Sequence, residues 1–165
     1  MSNPRIVRLK PNPAGKDRSR YRIVTSQIVA EWVDIENLDA AAANLTGVEL
    51  HHLAYPPAGG QARWEKVIGL TGQLGSGKTL RVHSGKEVPV AQLRPEDAQG
   101  ADFHLFAQRD LYVWNNADGD CAGLWQRDLG QWRDKACYDP LPPEGVVLVR
   151  RGDKLVLEAG RGGWR

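Results

Sequence analysis

The chain has 165 residues, of which 22 are basic and 20 acidic, and 41% are hydrophobic. This length suits one domain with a real core, and the near balance of charge gives no general case for nucleic acid or an anionic membrane as a partner. No stretch approaches the ~18 uninterrupted apolar residues of a membrane helix, and no secretory signal is visible, so we expect a cytoplasmic protein with no membrane partner unless a signal has been removed.

Short runs rich in Val, Ile, Leu, Trp and Tyr alternate with turns formed by 18 Gly and 10 Pro. This spacing is typical of an all-β domain. The expected strands are Arg5–Lys10, Trp32–Glu36, Val48–Leu53, Trp64–Ile68, Thr79–His83, Leu111–Trp114, Cys121–Gln126 and Gln131–Tyr138, followed by one C-terminal hairpin. One short helical turn is expected at Pro95. About seven to nine short strands predict a β-sandwich, with a closed barrel as the alternative.

Five short motifs occur in a characteristic order along the chain. They are PNPAGKDR after the first strand, EWVDIEN (Glu31–Asn37), NLTGVEL (Asn44–Leu50), GSGKTLRVHSG (Gly75–Gly85) and VWNNADGD (Val113–Asp120). The ordered set resembles the lamin-tail domain family, found at the C-terminus of nuclear lamins and in many bacterial proteins. The resemblance implies an immunoglobulin-like β-sandwich in a single domain over 1–165, with a core at about 6–138 and an extra hairpin at about 144–159. It also implies a structural or binding role without catalytic residues.

The chain departs from the family pattern at four places. Val48 stands where a core tryptophan is usual, and Cys121 stands where threonine is common. Lys86–Ala101 is interpreted as an insertion, and the hairpin after Pro140 lies beyond the usual end of the domain. We therefore expect a repacked core around Val48.

The segment Gly72–Thr79 (GQLGSGKT) fits the phosphate-loop pattern at every position. A phosphate loop needs a helix directly after it, whose N-terminus faces the phosphates. The residues that follow, TLRVHSGKEVP, alternate with period two and end in glycine and proline, which predicts a strand and a turn. A nucleotide-binding enzyme using Lys78 is therefore the disfavoured alternative, and we expect an exposed Lys78.

Three other motifs have a simple turn interpretation. Arg151–Asp153 is a cell-adhesion tripeptide in form, but it lies where a hairpin tip is expected. The stretch NNADGD lacks the spacing of a calcium loop, and its Asn and Asp residues favour a β-turn. The four histidines show no zinc-type spacing. We expect no cofactor, no metal site and no catalytic residue.

The chain has two cysteines, Cys121 and Cys137. A hairpin turning near Leu129 would set them opposite each other or one step apart, so a cross-strand disulfide is sterically allowed. In a cytoplasmic protein two buried thiols are the expected state.

The six tryptophans supply the candidate binding residues. Alternation puts Trp32 on the outward face of its strand with Asp34 and Glu36, and Trp125 and Trp132 are expected close together across a hairpin. Exposed aromatic side chains on a sheet face are common anchors for a protein partner. We therefore expect a non-enzymatic binding or scaffolding module that engages a protein partner, or another copy of itself, through a sheet face or an edge strand.

A basic N-terminal arm provides the alternative partner. Its central residues are Arg18, Arg20 and Arg22, with Asp17 interrupting the run. Such an arm can contact the phosphates of nucleic acid without reading sequence. The alternative function is thus that of a nucleic-acid-associated accessory protein.

Overall fold

The fold is all-β in a computed structural model that describes residues 3–15, 18–19, 22–23, 25–56 and 59–158. The strands are β1 (Pro4–Lys10), β2 (Arg18–Ser19), β3 (Arg22–Ile23), β4 (Trp32–Asn37), β5 (Ala43–Asn44), β6 (Val48–Ala54), β7 (Arg63–Gly69), β8 (Gln73–Leu74), β9 (Thr79–His83), β10 (Phe103–Phe106), β11 (Asp120–Gln126), β12 (Gln131–Tyr138), β13 (Leu148–Arg151) and β14 (Lys154–Leu157). The helical segments are α1 (Thr25–Ile28), α2 (Pro95–Ala98) and a 3₁₀ turn at Val90–Gln92. No helix within the described ranges is long and apolar enough to cross a membrane.

Ten strands form one curled sheet in the order β10-β9-β4-β1-β13-β14-β12-β11-β6-β7, and β2–β3 and β5–β8 form two separate short pairs. Neighbours in the large sheet are antiparallel except for β9–β10 and β12–β14. The described ranges therefore contain more strands than the seven to nine that the sequence predicts. The surplus comes from two-residue strands and from β10.

The curled sheet encloses one main hydrophobic core to which strands from both ends of the strand order contribute. The inward side chains alternate along the strands, as period two requires. Completely buried examples are Ile6, Leu9, Val33, Ile35, Val48, Leu50 and Leu124. Trp114, which is 3% exposed, belongs to the same core cluster as Val48.

Most predicted strands are confirmed within one or two residues, but Leu111–Trp114 is not a strand. The backbone amides of Val113 and Trp114 donate hydrogen bonds to the Glu31 carboxylate instead, at 3.0 and 2.9 Å. The Glu31 side chain therefore accepts the two hydrogen bonds that backbone carbonyl oxygens of a neighbouring strand would otherwise accept. Conversely, the structure contains one strand of four residues that the sequence did not predict: β10, which pairs in parallel with β9.

The GQLGSGKT segment contains the short strand β8 (Gln73–Leu74), a turn at Gly75–Lys78 and the first residue of β9. The Lys78 amide donates to the Gly75 carbonyl oxygen at 3.1 Å, and β9 begins at the next residue. Gly77 has φ of 71°, a left-handed conformation that glycine adopts without steric cost. The Lys78 side chain is 53% exposed, as expected. No helix starts at Thr79, so the segment lacks the architecture of a phosphate loop.

The two predicted hairpins are confirmed, but the β11–β12 hairpin contradicts the prediction made for the two cysteines. Gly152–Asp153 connects β13 to β14, and the turn before Gln131 connects β11 to β12. The second hairpin sets Cys121 directly opposite Cys137, and the two sulfur atoms are bonded in a disulfide. The expectation of two reduced thiols is therefore wrong for this structure, because the register brings both side chains to the same face in adjacent strands.

Candidate binding face

Three tryptophans form a continuous cluster on the outer surface of β7, β11 and β12. Trp125 lies opposite Trp132 in the hairpin, with ring centroids 4.9 Å apart, as the sequence predicts. The Trp64 ring lies 4.5 Å from the Trp132 ring. All three side chains are half-buried. We call the surface formed by Trp64, Trp125 and Trp132 the aromatic face.

An irregularity in the hairpin brings Trp132 to this surface. Leu124 pairs with Asp134, whereas the next residue of β11, Trp125, pairs with Trp132. Arg133 is therefore the extra residue of a β-bulge, and strict alternation along β12 is broken at that point. Because of the bulge, Trp132 lies on the outer face although Asp134 and Ala136 point inward.

Gly123 makes room for the rings. A Cβ atom at this position would lie 2.6 Å from Cζ3 of Trp132 and 3.1 Å from Cζ3 of Trp64. Two indole rings thus pack directly against the backbone of β11, which a larger residue would prevent. Sequence reasoning identified Trp125 and Trp132 but missed Trp64 and Gly123, because β7 lies two strands away across β6.

The aromatic face has charged residues at its edge. The His51 ring lies edge-on to Trp132, with centroids 5.6 Å apart, and its Nε2 contacts the Glu49 carboxylate at 3.2 Å. Glu49 also pairs with Lys66 at 2.8 Å, and this hydrogen bond holds the pKa of the Glu49 carboxyl below its usual range. The ammonium of Lys135 lies 5.6 Å from the Trp132 ring. The surface combines apolar rings with the exposed cation of Lys135, so it suits an apolar segment that carries an acidic group.

Trp32 does not belong to this surface. It lies on the outer face of β4, as alternation predicts, but only 1% of it is exposed. The segment Lys86–Ala101, which the family resemblance predicts to be an insertion and which we call the inserted segment, covers it: Nε1 of Trp32 donates to the Asp97 carboxylate at 2.8 Å. The Arg81 guanidinium lies 3.6 Å from the ring centroid. The expectation that Trp32 is an exposed anchor is therefore wrong, because a segment distant in sequence packs on the outer face.

The same inserted segment is held by a buried ionic network. The Arg81 guanidinium donates to both Asp34 oxygens, at 2.7 and 2.9 Å, and to the backbone oxygens of Asp97 and Gln99. Asp34 is completely buried and also accepts from Arg8. The charges are paired and hydrogen-bonded, as burial requires. This network therefore attaches the insertion to the sheet and has a structural role.

A second pair of buried carboxylates organises the VWNNADGD turn. Glu31 is completely buried, and burial raises the pKa of its carboxyl to about 8 against the hydrogen bonds from Ser84, Val113 and Trp114. Asp120 accepts from the backbone amides of Leu53 and Asn115. The nearby charge of Asp120 further raises the pKa of Glu31.

A local hydrogen bond from the backbone to an Asn side chain holds the interior of the VWNNADGD turn. The Asp118 amide donates to Oδ1 of Asn115 at 2.9 Å, which is the local bond that favours Asn in turns. Within the described part of the chain, no group of three or more His, Cys, Asp or Glu side chains is arranged to hold a metal ion.

The structure also brings together two histidines that sequence spacing did not connect. Nε2 of His83 lies 2.8 Å from Nδ1 of His104, and the rings are stacked with centroids 5.1 Å apart. Burial lowers the pKa of His83 to about 4 and lowers that of His104 as well. His83 also contacts the Val29 carbonyl oxygen at 2.7 Å, so its ring is fixed on both sides.

The basic arm of the alternative function lies outside the described side chains. Arg20 is outside the described ranges altogether, and Arg18 and Arg22 are described only as backbone in β2 and β3. The sequence matches no protein-family model and has no significant match among curated proteins.

Proposed function

We propose that this chain is a non-enzymatic binding module of the lamin-tail type, and that the aromatic face is its contact surface for a protein partner. The observation that carries the proposal is the cluster of Trp64, Trp125 and Trp132, whose rings lie against a sheet face at centroid distances of 4.5 and 4.9 Å. Tryptophan is among the residues that contribute most to binding energy at protein interfaces.

An immunoglobulin-like sandwich is part of the same proposal. Two of the motifs behind the family resemblance, EWVDIEN and VWNNADGD, meet through hydrogen bonds from the amides of Val113 and Trp114 to Glu31. The motifs thus depend on each other physically, which supports their use as a set. A curled sheet with one core contributed by strands from both its ends also fits two facing layers.

The chemistry of the aromatic face favours an apolar partner segment with acidic neighbours. Lys66 is paired with Glu49 at 2.8 Å, so these two charges cancel. Lys135 is exposed and presents positive charge beside the Trp132 ring, and its contribution should weaken as salt is raised. Association of the chain with another copy of itself is the alternative use of the face.

Affinity capture with matched variants tests the proposal. We expect Trp125→Ala to reduce the specifically retained partner at least ~10-fold, because a buried aromatic anchor contributes 2 kcal/mol or more at an interface. The control is Leu129→Ala at the tip of the same hairpin, where the side chain is 52% exposed and outside the aromatic face. The dissociation constant measured with the purified partner should then be at least ~10-fold larger for Trp125→Ala than for the wild-type protein.

Three outcomes would contradict the proposal. One is a monomer at every concentration in light scattering together with no retained protein that depends on Trp125. Another is salt-sensitive binding to DNA or RNA that disappears when Arg18, Arg20 and Arg22 are neutralised, which would establish the nucleic-acid function instead. Tight ATP or GTP binding that is lost in Lys78→Ala would establish the nucleotide-binding alternative.

A further inference from the structure

A cavity of about 360 Å³ lies between α1 and the inserted segment, on the side of the molecule where Trp32 is covered. Its volume is in the range of small-molecule sites, which start at about 300 Å³. Val29, Val88 and Leu93 supply an apolar wall, and these three side chains belong to a small hydrophobic cluster separate from the main core.

A buried carboxylate with one unused oxygen also lines this cavity. Asp97 is 1% exposed, and its Oδ1 accepts from Nζ of Lys10 at 2.6 Å and from Nε1 of Trp32 at 2.8 Å. Its other oxygen, Oδ2, is buried without a hydrogen-bond partner in the described part of the structure. A buried acceptor without a donor is costly, and native structures contain few of them. Oδ2 is shielded from water in this structure, so a small shift of the cavity wall is needed before a ligand can donate a hydrogen bond to it and remove this cost.

The charges around Asp97 favour an uncharged hydrogen-bond donor on the ligand. The ammonium of Lys10 is itself buried and already balances the carboxylate. A second ammonium in the cavity would lie close to Lys10 and would be repelled by it, which disfavours a cationic ligand. An uncharged amide N–H supplies the hydrogen bond without the added charge.

Two guanidinium groups, those of Arg94 and Arg109, also line the cavity and give it excess positive charge. Lys86 and Asp110 form an ion pair at 2.9 Å, so their charges cancel. Arg94 and Arg109 donate to the backbone oxygens of Ala14 and Lys66, and neither forms an ion pair with another described residue. An anionic group on the ligand would therefore be favoured near these guanidinium groups.

We propose that this cavity binds a small carboxylate that carries an amide N–H and an aliphatic side chain, the chemistry of an N-acylated aliphatic amino acid. The amide donates to Oδ2 of Asp97, the side chain packs on Val29, Val88 and Leu93, and the carboxylate accepts from a guanidinium that lines the cavity, that of Arg94 or Arg109. This site is separate from the aromatic face, and it does not depend on the function proposed for that face.

A set of three closely matched probes tests the chemistry without altering Asp97, which also holds Lys10 and Trp32. N-acetyl-leucine is the reference ligand, titrated against the full chain by NMR chemical-shift changes. The acetate ester of 2-hydroxy-4-methylpentanoate replaces the N–H by oxygen, and N-acetyl-leucinamide replaces the carboxylate by an uncharged amide. We expect the ester to bind at least ~10-fold more weakly, since it leaves Oδ2 unpaired. We expect the leucinamide to lose the dependence of affinity on salt.

A pair of variants locates the site. Val88→Trp fills the cavity and should abolish binding of N-acetyl-leucine, whereas Val90→Trp, at a position that is 44% exposed and outside the cavity lining, should leave it unchanged. Equal affinity for N-acetyl-leucine and the ester would overturn the role of Asp97. Absence of saturable shifts up to about 10 mM, or binding that survives in Val88→Trp, would overturn the site itself; millimolar ligand corresponds to only about 4 kcal/mol.

Discussion

Glu31 shows how a single buried side chain can replace secondary structure. Its two carboxylate oxygens accept hydrogen bonds from the adjacent amides of Val113 and Trp114, and this holds the turn against the sheet. The arrangement leaves an acidic group completely inside the protein. It therefore connects the stability of the fold to pH.

We expect the free energy of unfolding to fall between about pH 4.5 and pH 8 because of this carboxyl group. Its pKa rises from 4.5 to about 8 in the folded protein, mainly through burial, so the folded state binds the proton more tightly than the unfolded state. The stabilisation is complete below 4.5 and is lost as the pH passes 8. The upper limit of the change is about 5 kcal/mol, at ~1.36 kcal/mol for each unit of pKa.

Glu31→Gln isolates this effect in urea unfolding curves taken at several pH values. In the variant, the free energy of unfolding should no longer depend on pH in this window. The side-chain NH2 group of the glutamine faces one of the two backbone N–H donors, so the variant should be less stable than the wild type near pH 5. His83 acts in the opposite direction below 6.5, since its pKa is lowered to about 4 by burial. The informative quantity is therefore the difference between wild type and variant. Glu96→Gln, at an exposed position, should keep the wild-type slope; identical slopes for all three proteins would refute the assignment.

Residue-level prediction from sequence succeeds where neighbours are local. The pairing of Trp125 with Trp132 follows from one hairpin, and the outward direction of Trp32 follows from alternation along one strand. The burial of Trp32 could not be predicted, because the covering residue, Asp97, lies 65 positions away along the chain. Trp64 joins the aromatic face for a similar non-local reason.

At the scale of elements, the inserted segment acts as a cover over the outer face of β4 and β9. Arg81 holds it through one side chain that contacts both Asp34 on the sheet and the backbone of Asp97 and Gln99. Breaking this contact should release the cover while the main core, on the other side of the sheet, stays intact.

We expect Arg81→Met to lower the free energy of unfolding by about 3–5 kcal/mol, because the variant leaves the buried Asp34 without its main partner. It should also increase the hydrogen-exchange rate of the Trp32 indole N–H, observed by NMR. Arg63→Met is the matched control: that side chain is 75% exposed and pairs at the surface with Glu65, so the loss should stay below about 1 kcal/mol. Unchanged exchange at Trp32 in Arg81→Met would show that other contacts hold the insertion.

Elements with their own turn chemistry were predictable, and elements that depend on distant partners were not. The β11–β12 and β13–β14 hairpins follow from glycine at the turn, with Gly130 and Gly152 both at positive φ. The strand β10 has only four residues and pairs in parallel with β9 after the whole insertion has intervened. No local signal specifies such a pairing, since parallel neighbours always require a long connection.

At the scale of the whole molecule, the disulfide between Cys121 and Cys137 makes the stability of the fold depend on whether the surroundings are oxidising or reducing. It links the two strands of the hairpin that carries the aromatic face. Disulfides persist in oxidising compartments and are rare in the cytoplasm. The sequence predicts a cytoplasmic protein, and in such a reducing compartment this bond would tend to open.

Reduction should lower the free energy of unfolding by about 3 kcal/mol, the value for a loop of ~15 residues in the chain-entropy account. Urea unfolding with and without dithiothreitol measures the difference. The double variant Cys121→Ser/Cys137→Ser should resemble the reduced protein and should be insensitive to the reductant. Two free thiols in the mass of the native, non-reduced protein would contradict the structure at this point.

The position of β1 has a consequence for how the protein is made. This strand lies inside the sheet between β4 and β13, and Arg8 pairs with Val149. On the ribosome, β1 emerges first, but its second neighbour is synthesised only after almost all the other strands. One edge of β1 thus remains unpaired until the β13–β14 hairpin has been synthesised. Contacts of such long range slow folding, so we expect the pairing of β1 with β13 to form late.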